Sequence, residues 1–318
     1  MQSLATKYFY EVALKGSLTA ASDSLHVAVS AISRQITGLE EEVGASLFTR
    51  SARGMVLTEA GQILLRHVRR SVLETGAVLE SIAALQGGEQ NPIRISCTQG
   101  LANELVPAAL AAFGRQLPSV RFRIWVDSAK PATQRVEAGE VDMALTFSIA
   151  PNASESGVKV LYARPAPALA VMSRDHPLSR RRRLDIRDLS GYPIALTDEL
   201  SSTYKLYQLA SNMTGTWVEP QVYSNYAEAL HAYVRESQAI LFASYVSIAE
   251  RLKPGRLVAV PLKNPEMHAR TVQVQVMRGR ILPDAIEQFS SFIIRRLDEL
   301  VQRAPGQAVY AEGSDQAP

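Results

Sequence analysis

The sequence predicts an N-terminal winged helix-turn-helix, all-α with a small β wing, followed by a long helix and then an α/β domain. Three observations predict it. Apolar residues recur at helical spacing from Tyr8 to Val43, and two short β-prone runs follow. A helical pattern then continues from Glu59 to about Gln86. After Pro92 the pattern becomes strands alternating with helices, which argues for a parallel sheet covered by helices.

Residues Ser17 to Gly61 organise the chain. Tyr8, Phe9, Val12 and Ala13 form the inner face of a first helix, which Lys15-Gly16 ends through the left-handed conformation open to glycine. Ser17 can cap the next helix with its hydroxyl. Leu18, Ala21 and Leu25 share one face of that helix, and His26-Val27-Ala28 is the turn. Ile32, Ile36, Leu39 and Val43 make the buried stripe of the following helix, closed by Gly44. Its other face carries Ser30, Ala31, Ser33, Arg34, Gln35 and Thr37, a set with the reach to meet base edges and phosphates. Leu47–Arg50 and Met55–Thr58 read as two strands joined by a tight wing, Ser51–Gly54, with Arg50 and Arg53 placed for the DNA backbone or minor groove. On spacing alone an ordinary small helical domain with polar solvent faces remains open.

The run Gly-Ser-Leu-Thr-Ala-Ala at 16–21, with Leu25, Ser33-Arg34-Gln35-Ile36, Leu39-Glu40, Gly44, Leu47-Phe48, Arg50 and Leu57-Thr58-Glu59-Ala60-Gly61, resembles the N-terminal signature of LysR-type transcriptional regulators. The family usually carries Ser-Gln where Ala28-Val29 stands here. That Ser caps the recognition helix and the Gln often faces DNA. Losing the cap costs on the order of 1 kcal/mol, and losing the amide implies a target sequence unlike the family norm.

Composition sets limits on the rest. A chain of 318 residues suits two or three domains. It has no apolar run long enough for a bilayer and no signal-peptide pattern, so a cytoplasmic protein without a membrane partner is expected. The lone Cys97 makes no internal disulfide, and no Cys/His cluster has metal spacing; neither a metal nor another cofactor is expected. The net charge of +3 permits DNA binding without suggesting it, leaving a local patch of Arg34, Arg50, Arg53, Arg66, Arg69 and Arg70 to supply affinity. The acidic Glu40-Glu41-Glu42 is expected to point away from phosphates. His26, His67, His176, His231 and His268 match no catalytic triad, and there is no phosphate-binding glycine loop, so an enzyme is not expected.

Thr58 can cap the long helix, whose apolar stripe of Ile63, Leu64, Val68, Val72, Leu79, Ile82 and Leu85 lacks a partner in the same segment. Such a face suits a second copy, or packing onto its own domain. Residues 87–92, Gly-Gly-Glu-Gln-Asn-Pro, read as a linker. The expected domains are therefore 1–58 for DNA binding, 59–91 for the linker helix and hinge, 92–303 for an α/β domain and 304–318 for a loose tail.

Within the α/β domain the pattern predicts strand 93–97, helix Leu101–Phe113, strand Arg121–Val126, a helix near Thr133–Ala138 and strand Val141–Phe147. Leu-Pro-Ser-Val-Arg-Phe at 117–122 and Glu-Ala-Gly-Glu-Val-Asp-Met-Ala-Leu at 137–145 resemble the effector domain of the same regulators. The resemblance implies a two-lobed, periplasmic-binding-protein-like fold, with lobe I about 92–163 and 268–303 and lobe II about 164–267. Lobe II is expected to hold strands Leu169–Ser173, Pro193–Thr197, Thr216–Val222 and Ala239–Ala243, and helices Ser202–Asn212, Tyr226–Glu236 and Tyr245–Arg251. The basic run Arg180–Arg183 reads as a solvated loop. The chain recrosses at 261–270, strand Thr271–Met277 rejoins lobe I, and Asp284–Gln302 is the final helix.

Ligands on open parallel sheets bind beyond the strand carboxyl ends, near helix N-termini. That places Thr98, Gln99, Gly100, Phe147, Ser148, Thr197, Ser201, Ser202, Thr203, Asn225, Phe242 and Ser244 on the candidate effector list. Hydroxyls and amides at several helix starts suit a small anion, although each alone reads equally well as a helix cap. Asp198 would repel an anion or attract an amine. Tyr162 and Tyr245, with Phe147 and Phe242, are candidates for an apolar side or for plain core. The expected function is a LysR-type regulator with double-stranded promoter DNA, a small-molecule effector and its own copies as homodimer or homotetramer for partners. RNA polymerase is a further candidate partner by resemblance. The alternative is a solute-binding protein or enzyme with an unrelated N-terminal extension.

Overall fold

The computed structural model describes residues 3–51, 54–85, 91–149 and 157–305. It divides into two compact units: 1–91 with the short segments 137–139 and 277–281, and the remainder from Pro92 onward. The glycines of the linker at 87–88, the wing tip at 52–53 and most of the C-terminal tail lie outside the described residues.

The first unit contains α1 (Leu4–Lys15), α2 (Leu18–Leu25), α3 (Val29–Val43), the hairpin β1 (Phe48–Ser51) and β2 (Gly54–Leu57), and α4 (Glu59–Leu85). Phe9, Val12, Ala21, Ile32, Leu47 and Val68 are fully buried in its core. The Phe9 and Phe48 rings lie 5.3 Å apart, fixing α1 against the hairpin. Gly16 and Gly44 end α1 and α3 in the left-handed conformation. His26 does the same for α2 with φ 54°, the one described non-glycine residue with positive φ. The turn is held by Val27 N donating to Ser22 O at 3.2 Å, and by Ser22 Oγ donating back to Val27 O. At α4 the Thr58 hydroxyl accepts from Gly61 N at 3.0 Å and donates to Ser46 O at 2.7 Å. A Cβ on Gly61 would sit 2.1 Å from Leu47 O, so only glycine lets the helix start this close to the hairpin.

The second unit runs, in chain order, through β3 (Ile93–Cys97), α5 (Gln99–Ala102), α6 (Leu105–Gln116), β4 (Phe122–Val126), α7 (Ala129–Ala138), β5 (Met143–Ser148) and β6 (Val158–Pro165). It continues with β7 (Ala168–Ser173), β8 (Ala195–Thr197), α8 (Ser202–Thr214), β9 (Val222–Ser224), α9 (Ala227–Arg235), β10 (Leu241–Ser244) and α10 (Tyr245–Leu252). β11 (Leu257–Val260), β12 (Thr271–Met277) and α11 (Asp284–Gln302) complete it. One lobe is a five-stranded sheet in the order β4-β3-β5-β12-β6, with Ile95, Leu101, Met143, Leu145, Phe289 and Leu297 buried around it. The other has a three-stranded sheet, β10-β7-β11, and the pair β8-β9, packed around Leu184, Leu206, Tyr207 and Met267. The chain passes between lobes at 166–167 and again at 261–270, and Ala166 N donates to Arg270 O at 2.8 Å to hold the two crossings side by side.

Several expectations are corrected. The sheets are not purely parallel: β3 runs parallel to β4 and β5, but β12 is antiparallel to β5, and β7 is antiparallel to both its neighbours. The helix expected over Leu101–Phe113 is broken at Asn103-Glu104, because Pro107 cannot donate to the carbonyl of residue 103 and its ring would clash there. The strand expected over Thr216–Val222 shrinks to 222–224; Pro220 lacks an amide donor, and Val218 instead exchanges bonds of 3.0 and 3.2 Å with the Tyr207 hydroxyl. β6 and β11 were not foreseen. β6 is an edge strand ending in proline, and β11 is a four-residue apolar run whose period is too short to read.

Candidate functional site

The first candidate surface is the outer face of α3. Ser30, Arg34, Gln35 and Thr37 are exposed, and Ala31 and Ser33 are half-buried at its edge. Arg34 lies along the helix, its Nε donating to Ser30 O at 3.3 Å, which leaves the guanidinium fork outward. No carboxylate stands between Val29 and Leu39, so this face meets a phosphate-rich surface without repulsion. Ala28 provides no side-chain cap, as its chemistry requires, so the first amides of α3 have no side-chain acceptor from that residue. Ser17 has its hydroxyl engaged as the α2 cap, accepting from Ala20 N at 3.4 Å. Arg50 is exposed on β1, and Arg53 lies outside the described residues. The acidic run divides. Glu41 and Glu42 are exposed, whereas Glu40 turns inward to accept from Leu47 N at 2.7 Å and Phe48 N at 3.2 Å, tying α3 to the hairpin.

The second candidate site is a cleft of about 440 Å³ inside the second unit, lined from both of its lobes. Thr98, Gln99, Gly100 and Phe147 border it from the β3 and β5 ends; Thr197, Ser201, Ser202, Thr203, Asn225, Phe242 and Ser244 border it from the opposite lobe. Ser148 does not line it: this residue pairs with Thr271 at the sheet edge. Tyr162 and Tyr245 do not line it either. Tyr162 is buried in the lobe core with its hydroxyl 3.1 Å from Asp298, a contact that with burial pushes the phenol up.

Hydrogen bonds separate the caps from the free groups. Ser201 Oγ accepts from Thr203 N and Tyr204 N at 3.1 and 3.3 Å, so it is the α8 cap. Gln99 spans the cleft, its Nε2 donating to Asn225 O at 2.6 Å and its Oε1 accepting from Ala227 N at 2.8 Å. Thr98 makes no side-chain cap bond, and its buried hydroxyl has no partner. A Cβ on Gly100 would come within 2.8 Å of Ser247 Oγ, so glycine lets α5 approach α10 across the cleft.

Two lining residues escaped the sequence reading. Arg270 sits on the second crossing, 3% exposed, with its guanidinium 4.4 Å from the Phe147 ring centroid. Its Nη1 donates to Ser202 Oγ and Thr203 Oγ1 at 3.1 and 3.0 Å, and its Nε donates to Ala166 O at 3.0 Å. Nη2 is buried without a partner, and among the described residues no carboxylate pairs with this cation. Burial pushes its pKa down to about 9, so the charge persists at neutral pH. His231, on α9, is 7% exposed and its Nδ1 has no partner. Burial first, then the nearby Arg251 cation, push its pKa down to about 4, so the ring is neutral. Nothing local marks either residue. Arg270 stands at the mouth of a strand, where the sequence shows only a boundary, and His231 sits on an amphipathic helix face.

Burial pushes the Cys97 thiol up to about 12, which makes it an unreactive core group. Among the described residues no His, Cys, Asp or Glu group is arranged for a metal ion, and no helix is long and apolar enough to cross a membrane.

Comparison with known proteins agrees with this geometry. Residues 5–62 match the profile described as bacterial regulatory helix-turn-helix protein, lysR family, and residues 86–298 match the LysR substrate binding domain. The chain is 28% identical over 302 residues to the transcriptional dual regulator GltC of Bacillus subtilis, covering 95% of this chain and 99% of that protein. It is 27% identical to the RuBisCO operon transcriptional regulator of Allochromatium vinosum, covering 91% and 94%. Its fold resembles the full-length regulator LysG of Corynebacterium glutamicum, solved with arginine as bound effector, at TM-score 0.63 and 17% identity over 94% of this chain and 99% of that one. These relatives are regulators rather than enzymes. The chain belongs to the LysR family of DNA-binding transcriptional regulators, with an N-terminal helix-turn-helix and a C-terminal effector-binding domain.

Proposed function

We propose that this regulator senses a small anion in the cleft, with Arg270 as the residue that holds the charge. The observation that carries this reading is a buried guanidinium with one N–H face unpartnered and no carboxylate beside it. A buried ion without a counter-charge costs several kcal/mol. A carboxylate or similar anion offsets that cost with charge-assisted hydrogen bonds. Ser202 and Thr203 fix the guanidinium from one side and Phe147 from another, so the cation waits in position. Thr98, Gln99, Gly100, Asn225, Phe242 and Ser244 complete our proposed effector wall.

On the DNA side, Ser30, Ser33, Arg34, Gln35 and Arg50 are our proposed contacts, with α3 in the major groove. The exposed Ile63, Val78, Leu79 and Ile82 of α4 fit a helix that pairs with a second copy, which would place two α3 helices on two half-sites. Effector binding acts through its differential affinity for lobe arrangements about the paired crossings. Such a protein works where promoter DNA is, in the cytoplasm. The test is a thermal-shift comparison on the full chain between small carboxylates and their uncharged carboxamides. Stabilisation by carboxylates only, lost in Arg270→Met, is the expected result; equal stabilisation by carboxamides removes the anion from the reading.

A further inference from the structure

Three polar atoms that line this cleft are buried without a hydrogen-bond partner: Arg270 Nη2, His231 Nδ1 and Thr98 Oγ1. Buried polar groups are almost always satisfied, so three orphans around one cavity outline the polar groups of a missing occupant. They come from three separate elements: the second crossing, α9 and the β3–α5 junction. Only one is a cation. The other charged side chains on the wall are Asp127 and Asp198, both acidic. Asp127 is already paired with Arg135 at 2.8 Å. Arg251, which lies near His231, is held by Glu104 and Glu228 and is not on the cavity wall. The remainder of the wall is largely apolar, from Phe147, Leu230, Leu241 and Phe242.

Resting on the anion site above, we propose that the effector is a monoanion whose other end carries an uncharged hydroxyl or carbonyl group, held by His231 Nδ1 and Thr98 Oγ1. One negative group meets Arg270, an apolar body lies along the phenylalanines and leucines, and the neutral polar group fills the remaining orphans. A hydroxyl can donate to one of these atoms and accept from the other, and a carbonyl can accept from the threonine hydroxyl or from the protonated tautomer of Nδ1. A second carboxylate finds no second cation there and faces two acidic residues. Burial keeps the imidazole neutral, which suits a neutral partner.

The test uses the full chain at neutral pH and measures affinity by calorimetry for matched acids of about four to eight carbons, a size the cavity accommodates. The sets are unsubstituted monoacids, hydroxy- or oxo-substituted monoacids, diacids and amino acids. The substituted monoacids are expected to bind on the order of tenfold tighter than the unsubstituted ones, and diacids more weakly. His231→Leu removes that preference, while His231→Asn, whose amide replaces Nδ1, retains part of it. Should the leucine variant fail to fold, Thr98→Val reads the same preference from the other side. Tightest binding by diacids or amino acids, an unchanged preference in His231→Leu or Thr98→Val, or no binding by any set overturns the proposal. Binding that survives Arg270→Met refutes the anion site itself, a separate result.

Discussion

The two faces through which this protein meets its partners solve opposite physical problems. On α3 the polar groups are in water: Ser30, Arg34, Gln35 and Thr37 are exposed, and their hydrogen bonds are satisfied by solvent until DNA displaces it. In the cleft the polar groups are already stripped of water: Arg270, His231 and the Thr98 hydroxyl are buried with atoms unpaired. A surface reader loses little while empty and gains affinity from many modest, salt-screened contacts. A buried site carries the desolvation cost within the fold and returns it when the right molecule arrives. Substitutions should therefore act on α3 through binding alone, but in the cleft through both stability and binding.

The largest expected effect tests whether the cleft is as desolvated as this contrast requires. Because the folded pKa of His231 is about 4 against 6.5 for a free ring, the unfolded chain binds more protons between those values. Stability is thus fully present above pH 6.5 and falls as pH drops toward 4, by about 3 kcal/mol for this group. Arg251 and Glu228 flank the ring and stay charged through most of that window. Urea unfolding at pH 7 and pH 4.5 should show a steeper loss in the native chain than in His231→Asn. Equal slopes would place the ring in water and weaken the contrast. Next, Arg270→Met should abolish effector-induced stabilisation, worth about 2.7 kcal/mol at a hundredfold excess over Kd. Effector-free DNA affinity should stay unchanged, as a mobility shift would show. A smaller effect is expected at Arg34→Ala: about 1–3 kcal/mol of operator preference disappears, with the urea midpoint held to within about 0.5 kcal/mol, as for most surface substitutions. A fall in stability comparable to the fall in binding would make Arg34 a structural residue. Smallest is Ala28→Ser, which supplies the α3 cap that the structure lacks and should add about 1 kcal/mol to stability. An unchanged midpoint would mean that the uncapped amides are already well satisfied.

Legibility follows the same division. The helix-turn-helix is local. Gly16, Ser17, Gly44 and Thr58 punctuate it through their own backbone or side-chain chemistry, and the apolar stripes of α1 and α3 have the period of the helix that buries them. Most lining positions at strand ends could also be anticipated, because helix starts announce themselves with hydroxyls. Their roles could not. Ser201 and Thr98 look alike in sequence, yet one is engaged as a cap and the other left open. Ser148 has the right position along its strand, but β12 pairs beside it. The short strands β6 and β11, and the break at Asn103-Glu104, depend on neighbours far away in the chain.

Sequence by itself determined the DNA-reading half: residue spacing fixes which face of a helix is buried, and the exposed remainder is then available to the groove. It also determined the class of domain that follows, through the change of period after Pro92. Only the tertiary structure decided where the charge of the sensing site lies. Arg270 becomes a buried cation because two lobe crossings run side by side, with Ala166, Ser202, Thr203 and Phe147 enclosing its guanidinium. Desolvation depends on what the whole chain brings around a group, and no short stretch of residues encodes it.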